Sequence, residues 1–104
     1  MAWSRANIDG VGTDEARRLA ELVAQGLRRE PYGTLVERFL GGPQITELTG
    51  TTVKRYQVGT EAVWDSGRHG NLRVVVTVDD GGWRAFVPRT ADFIVAPDGS
   101  FVGE

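Results

Sequence analysis

His69 is the only histidine in the chain, and histidine is the residue type most often used as a general acid or base. It stands in Asp65-Ser66-Gly67-Arg68-His69-Gly70-Asn71, so an acid, a hydroxyl and an imidazole share one short stretch. A Ser/His/Asp relay needs a buried acid to orient the imidazole and separate donors for the oxyanion. Three residues inside one glycine-flanked turn do not supply these, so the stretch reads as a loop. Arg68 and His69 are then contact residues for a ligand or partner, and no residue is assigned a catalytic role.

The acids divide in the same way. Asp79, Asp80, Asp92 and Asp98 are candidate metal ligands by type. Calcium takes six to eight oxygens, and the twelve-residue spacing of a calcium loop is missing. Asp80-Gly81 and Asp98-Gly99 instead match the two-residue turns of β-hairpins. Gly41-Gly42-Pro43 lacks the Lys-Ser/Thr of a phosphate loop, and Gly10-Val11-Gly12 follows no strand. With no cysteine and one histidine, thiolate zinc, iron–sulfur clusters, disulfides and histidine-rich metal sites drop out. No metal and no cofactor is expected.

The chain that must position these residues has 104 of them, 40% hydrophobic and 25% charged, which corresponds to a single α+β domain over 1–104. The formal charge of −2 lacks the basic field that general nucleic-acid binding needs. No run approaches the ~20 apolar residues of a membrane helix, and Asp9 and Gly10 interrupt any leader-like segment. The expectation is a cytoplasmic protein with no membrane or nucleic-acid partner. The basic side chains are eleven arginines and one lysine, a skew that points to a GC-rich bacterial genome.

Residues 1–12 read as an N-terminal arm carrying Trp3, 13–42 as helical, and 44–104 as antiparallel sheet. Thr13 before Asp14-Glu15 predicts an N-cap with an acidic first turn. Ala16, Leu19, Ala20, Val23 and Leu27 then form a buried stripe, with Leu22 at its edge. Pro31 suits the first position of a second helix, in which Tyr32, Leu35, Val36, Phe39 and Leu40 keep helical spacing until Gly41-Gly42-Pro43.

From Gln44 the period becomes two. Gln44–Thr49, Val53–Trp64 and Leu72–Val78 read as strands. The Asp80-Gly81 turn predicts a hairpin of Leu72–Val78 with Trp83–Val87, and Asp98-Gly99 one of Phe93–Ala96 with Ser100–Val102. The first hairpin sets Val78 opposite Trp83, Val76 opposite Ala85, Val75 opposite Phe86 and Val74 opposite Val87. One face then carries Leu72, Val74, Val76, Val78, Trp83, Ala85 and Val87, with Tyr56, Val58, Thr60, Ala62 and Trp64 from the preceding strand, to be covered by the helices. The other carries Arg55, Gln57, Glu61, Val63, Arg73, Val75, Thr77, Arg84 and Phe86, with Glu61 diagonal to Arg73. The predicted architecture is two N-terminal helices packed on one face of a four- to five-stranded antiparallel meander.

The C-terminal third, from Val78-Asp79-Asp80-Gly81-Gly82-Trp83 through Asp92-Phe93-Ile94 to Pro97-Asp98-Gly99-Ser100-Phe101, resembles small free-standing bacterial domains of unknown function. That resemblance brings no catalytic motif. The helix-then-meander order is similar to cystatin-like and nuclear-transport-factor-like folds, which host both inhibitors and small-ligand enzymes. The chain lacks the Asp/His pair that some enzymes of the latter fold use.

Two functions are consistent with these features. The first is a non-enzymatic protein-binding module, accessory or immunity-type, contacting another protein or a second copy through Arg73, Arg84 and Phe86 with the Arg68-His69 loop. Arginine and aromatic residues are what interface hot spots favour. The alternative is a small-ligand-binding protein or enzyme with a cone-shaped pocket lined by Tyr32, Phe39, Tyr56, Trp64 and Trp83.

Overall fold

The computed structural model describes residues 5–49, 55–79 and 89–104, with side chains from residue 15 onward. The elements are α1 (Arg5–Leu27), α2 (Tyr32–Phe39), β1 (Gln44–Thr49), β2 (Arg55–Trp64), β3 (Leu72–Asp79) and β4 (Arg89–Val95). The strands form one antiparallel sheet in the order β1-β2-β3-β4. Helix α1 lies against β3 and β4, and α2 against β2 and β3. This is the expected α+β layer, with both helices on one face.

The helices dock by different means. Ala16, Ala20 and Ala24 are buried at four-residue spacing, so α1 approaches the sheet closely along a line of small side chains. Leu19, Val23 and Leu27 flank that line, while Leu22 is exposed as its edge position predicted. In α2 the large residues do the packing. Leu35 and Phe39 are buried, and Tyr32, Val36 and Leu40 pack around them. Gly42, at φ +136°, supplies after α2 a backbone conformation that other residues rarely adopt.

The start of α1 differs from expectation. The helix begins at Arg5 and passes through Thr13, which is therefore not its N-cap. A cap side chain satisfies one backbone N–H and is worth about 1 kcal/mol. A helix that continues upstream gives the same N–H groups carbonyl partners instead. Glu15 consequently lies within the helix, where its Oε1 accepts a 2.8 Å hydrogen bond from the Tyr56 hydroxyl. Tyr56 is only 1% exposed, and a buried phenol requires such a partner.

Alternation in β2 and β3 holds as predicted. Tyr56, Val58, Thr60, Ala62, Leu72, Val74, Val76 and Val78 are buried beneath the helices, and Trp64 stands opposite Leu72. The other neighbour of β3 is a correction. It is Arg89–Val95, not Trp83–Val87: Val78 faces Arg89, Val76 faces Ala91, Val75 faces Asp92 and Val74 faces Phe93. With β2 on its remaining side, β3 has no edge left for the predicted hairpin. Residues 80–88, including the Asp80-Gly81 turn, lie outside the described residues.

The physical reason lies in what β4 delivers. It supplies seven paired positions and places Phe93 and Val95 in the core. A local two-residue turn signal is weak against that additional burial. The strand also leads directly into the Asp98-Gly99 turn. There the Asp98 carboxylate accepts from the Ser100 hydroxyl at 2.6 Å and the Ser100 N–H at 2.9 Å. Those bonds, the hydroxyl's first, hold the Asp98 carboxyl below its usual range.

The predicted second hairpin is present in short form: Val95 bridges Phe101, and the Ala96 and Val102 N–H groups donate to the Ser100 and Ile94 carbonyls, each at 2.8 Å. Beyond it the chain folds back toward α1. Phe101 meets Phe93 edge-on at 5.9 Å, the Arg28 guanidinium lies 4.2 Å from the Phe101 ring centre, and Arg28 pairs with Glu104.

Candidate functional site

The loop between β2 and β3 is built on backbone constraints. Asp65 N–H bonds to the Asn71 carbonyl at 2.7 Å, and Gly70 N–H to that of Gly67 at 2.9 Å. A Cβ on Gly70 would fall 2.5 Å from Ser66 Oγ and 3.1 Å from the Gly67 carbonyl oxygen, so a larger residue there would have to displace the Ser66 hydroxyl that accepts from the Asn71 N–H. Gly67 and His69 both take positive φ, +107° and +64°. Outside glycine this conformation is uncommon, although histidine adopts it more readily than most residues, and here the ring also has contacts with the rest of the domain.

Those contacts are aromatic. The His69 ring lies 5.5 Å from Trp64, which lies 6.5 Å from Tyr32. Both separations fall within the usual range of aromatic pairs. The Tyr32 hydroxyl donates to the Gly70 carbonyl at 2.7 Å. Helix α2 thus fastens the loop at two points, by a ring contact through Trp64 and by a hydrogen bond. A Tyr32→Phe variant keeps the ring and loses the bond, and the expected cost is about 1 kcal/mol. Amide exchange at His69 and Gly70 should accelerate while exchange in β3 does not. Unchanged exchange in the loop would show that the hydroxyl does not restrain it.

Asp65, Ser66 and His69 do not assemble into a relay. Asp65 accepts from Arg73 Nη2 at 3.1 Å and from Nε at 3.3 Å. Ser66 Oγ accepts from the Asn71 N–H at 2.7 Å. His69 is exposed, with its ring against Trp64. Arg68 is exposed beside it.

Arg73 lies on the sheet face away from the helices, opposite Val63 and Ile94. It bridges two carboxylates, Asp65 at the loop and Asp92 on β4. The hydrogen bonds it donates, to Asp65 first and then to Asp92, raise its pKa above the ordinary arginine value. The sequence had set Glu61 diagonal to Arg73. The register keeps that relation, but the carboxylates bonded to Arg73 are Asp65 and Asp92. Asp92 was missed because its position opposite Val75 follows from the β3–β4 register, which the Asp-Gly turn had displaced.

The rest of that face is mixed. Val63 and Ile45 are 47% and 66% exposed, and Val75 and Ile94 are half-buried. Glu47, Glu61 and Asp92 are exposed among them. Arg84 and Phe86 lie outside the described residues, as do Trp83 and Trp3.

The residues predicted to line a pocket separate into two groups. Phe39 and Tyr56 are 2% and 1% exposed and belong to the core. Tyr32 and Trp64 are half-buried at its end, beside the loop. Among the described residues, no group of three histidine or carboxylate side chains is arranged to hold a metal ion, and no helix is long and apolar enough to cross a membrane. No protein-family model, curated protein or solved structure matches this chain.

Proposed function

We propose that this chain is a small non-enzymatic protein-binding module of a bacterial cytoplasm, accessory or immunity-type, that needs no metal or cofactor. Its partner seats on the sheet face opposite the helices, around Arg73 and beside the Arg68-His69 loop. One observation carries the reading: both helices pack on the same side, and the other side sets Val63, Val75 and Ile94 among charged side chains. Such a mixture of apolar and charged groups is typical of non-obligate interfaces. Because Asp65 and Asp92 hold the Arg73 guanidinium in place, a partner meets an ordered group at little further entropic cost. Arg84 and Phe86 belong to the segment between β3 and β4 and are the further candidates. Pairing of two copies through the same face is a variant of this reading.

The small-ligand alternative receives less support, since Phe39 and Tyr56 are occupied in the core. Affinity capture from the native host, followed by titration of the purified pair, tests the proposal. Val63→Asp and the Arg84→Ala/Phe86→Ala double variant should each weaken binding about tenfold or more. Their melting temperatures should stay close to that of the parent. Undiminished binding by both variants removes this face.

A further inference from the structure

We infer that β1 is a self-pairing edge, through which two copies of this chain join antiparallel into one continuous eight-stranded sheet. Among the described residues, β1 pairs on one side only, with β2. Alternate residues of such a strand direct their N–H and C=O groups outward. Natural edges are blunted by charged side chains, lysine above all, by proline, by bulges or by covering elements. Gln44-Ile45-Thr46-Glu47-Leu48-Thr49 carries one charge, Glu47, and no lysine or proline, and its six-residue register with β2 is unbroken. All its residues except Leu48 are exposed, Ile45 at 66%. The opposite end of the sheet is different, because the Val95–Phe101 bridge and the 2.8 Å bond from Val102 N–H to the Ile94 carbonyl occupy part of β4.

The strand's own residues select a second copy and its register. Antiparallel pairing about a two-fold axis sets residues of one sheet face opposite each other, so the axis must pass through a residue. Centred on Thr46, it opposes Thr46 to Thr46, Ile45 to Glu47 and Gln44 to Leu48. The ladder then spans Gln44–Leu48 and ends where Pro43 has no N–H to give. Centred on Glu47, it would oppose two carboxylates, which is destabilising. Centred on Ile45, it would bring Pro43 against Glu47 and shorten the ladder. Of these, only the Thr46 register is long and sets no two carboxylates directly opposite; its two Glu47 side chains are diagonal neighbours, a weaker repulsion. One strand edge is a small interface, below the roughly 1,200–2,000 Å² of stable complexes, so association is expected to depend on concentration.

This inference does not rest on the partner-binding proposal, because edge pairing leaves the open sheet face around Arg73 uncovered. Sedimentation velocity on the full chain over a wide concentration range should show a monomer passing to a dimer. Thr46→Lys, at an exposed position, opposes two ammonium groups and should raise the dissociation constant more than tenfold. Circular dichroism establishes that the variant is folded. The chain has no native cysteine, so single-cysteine variants report the register directly. Thr46→Cys should cross-link efficiently under oxidation, and Ile45→Cys and Glu47→Cys should not. A monomer at every concentration, a dimer indifferent to Thr46→Lys, or preferential cross-linking at position 45 or 47 would each overturn the inference.

Discussion

Phe93→Ala is expected to cost the fold about 3–5 kcal/mol, a large share of the roughly 5–15 kcal/mol that holds a domain of this size together. Phe93 is 4% exposed and lies in the core with Val74 and Val95. It also meets Phe101 edge-on, with Arg28 above both rings. Truncation therefore opens a cavity and releases the C-terminal segment from α1. Ile94→Ala, one residue along the same strand, is the internal control. Its side chain lies on the open face opposite Arg73, and a loss of about 1 kcal/mol is expected there. Urea denaturation midpoints measure both. Equal losses would mean that β4 does not present alternate residues to the core as described.

The contrast between these neighbours locates where the sequence was sufficient. Layer order, the faces of β2 and β3, and the stripes of both helices follow from hydrophobic period alone. In each case several residues repeat the same signal, and burying them together leaves one solution. Trp64 opposite Leu72 was legible because a short glycine-rich loop joins two long alternating strands. What failed rested on single local signals. The Thr13 cap and the Asp80-Gly81 turn are each small preferences, and continued helix or a longer buried ladder outweighs them. Ala24 was passed over because a lone alanine carries little hydrophobic weight, yet with Ala16 and Ala20 it sets the approach of α1. The candidate site was legible in part. Arg73 was placed on the correct face, but its partners were not, since Asp65 and Asp92 reach it from elements whose register is tertiary.

That register is open to a direct test of large expected effect. Val75 and Asp92 are opposed across β3 and β4. Directly opposed residues of an antiparallel pair have Cα atoms about 4.5–5.5 Å apart, within the range a disulfide spans. The doubly substituted Val75→Cys/Asp92→Cys chain should oxidise to an intramolecular disulfide. Closing a loop of this length should add about 3 kcal/mol relative to the reduced form. Removing Asp92 takes one exposed ion-pair partner from Arg73, a minor loss because Asp65 remains. Val75→Cys/Phe86→Cys, which the Asp80-Gly81 hairpin would have brought together, should stay reduced under the same conditions. The reverse outcome would restore that hairpin and with it a Phe86 seated between Arg73 and Arg84. With β4 in place, the residues flanking Arg73 are instead Val63 and Ile94, and Asp92 takes the position opposite Val75. A partner docking on this face must therefore offer apolar groups to the two aliphatic side chains while leaving the Asp65–Arg73–Asp92 bridge intact.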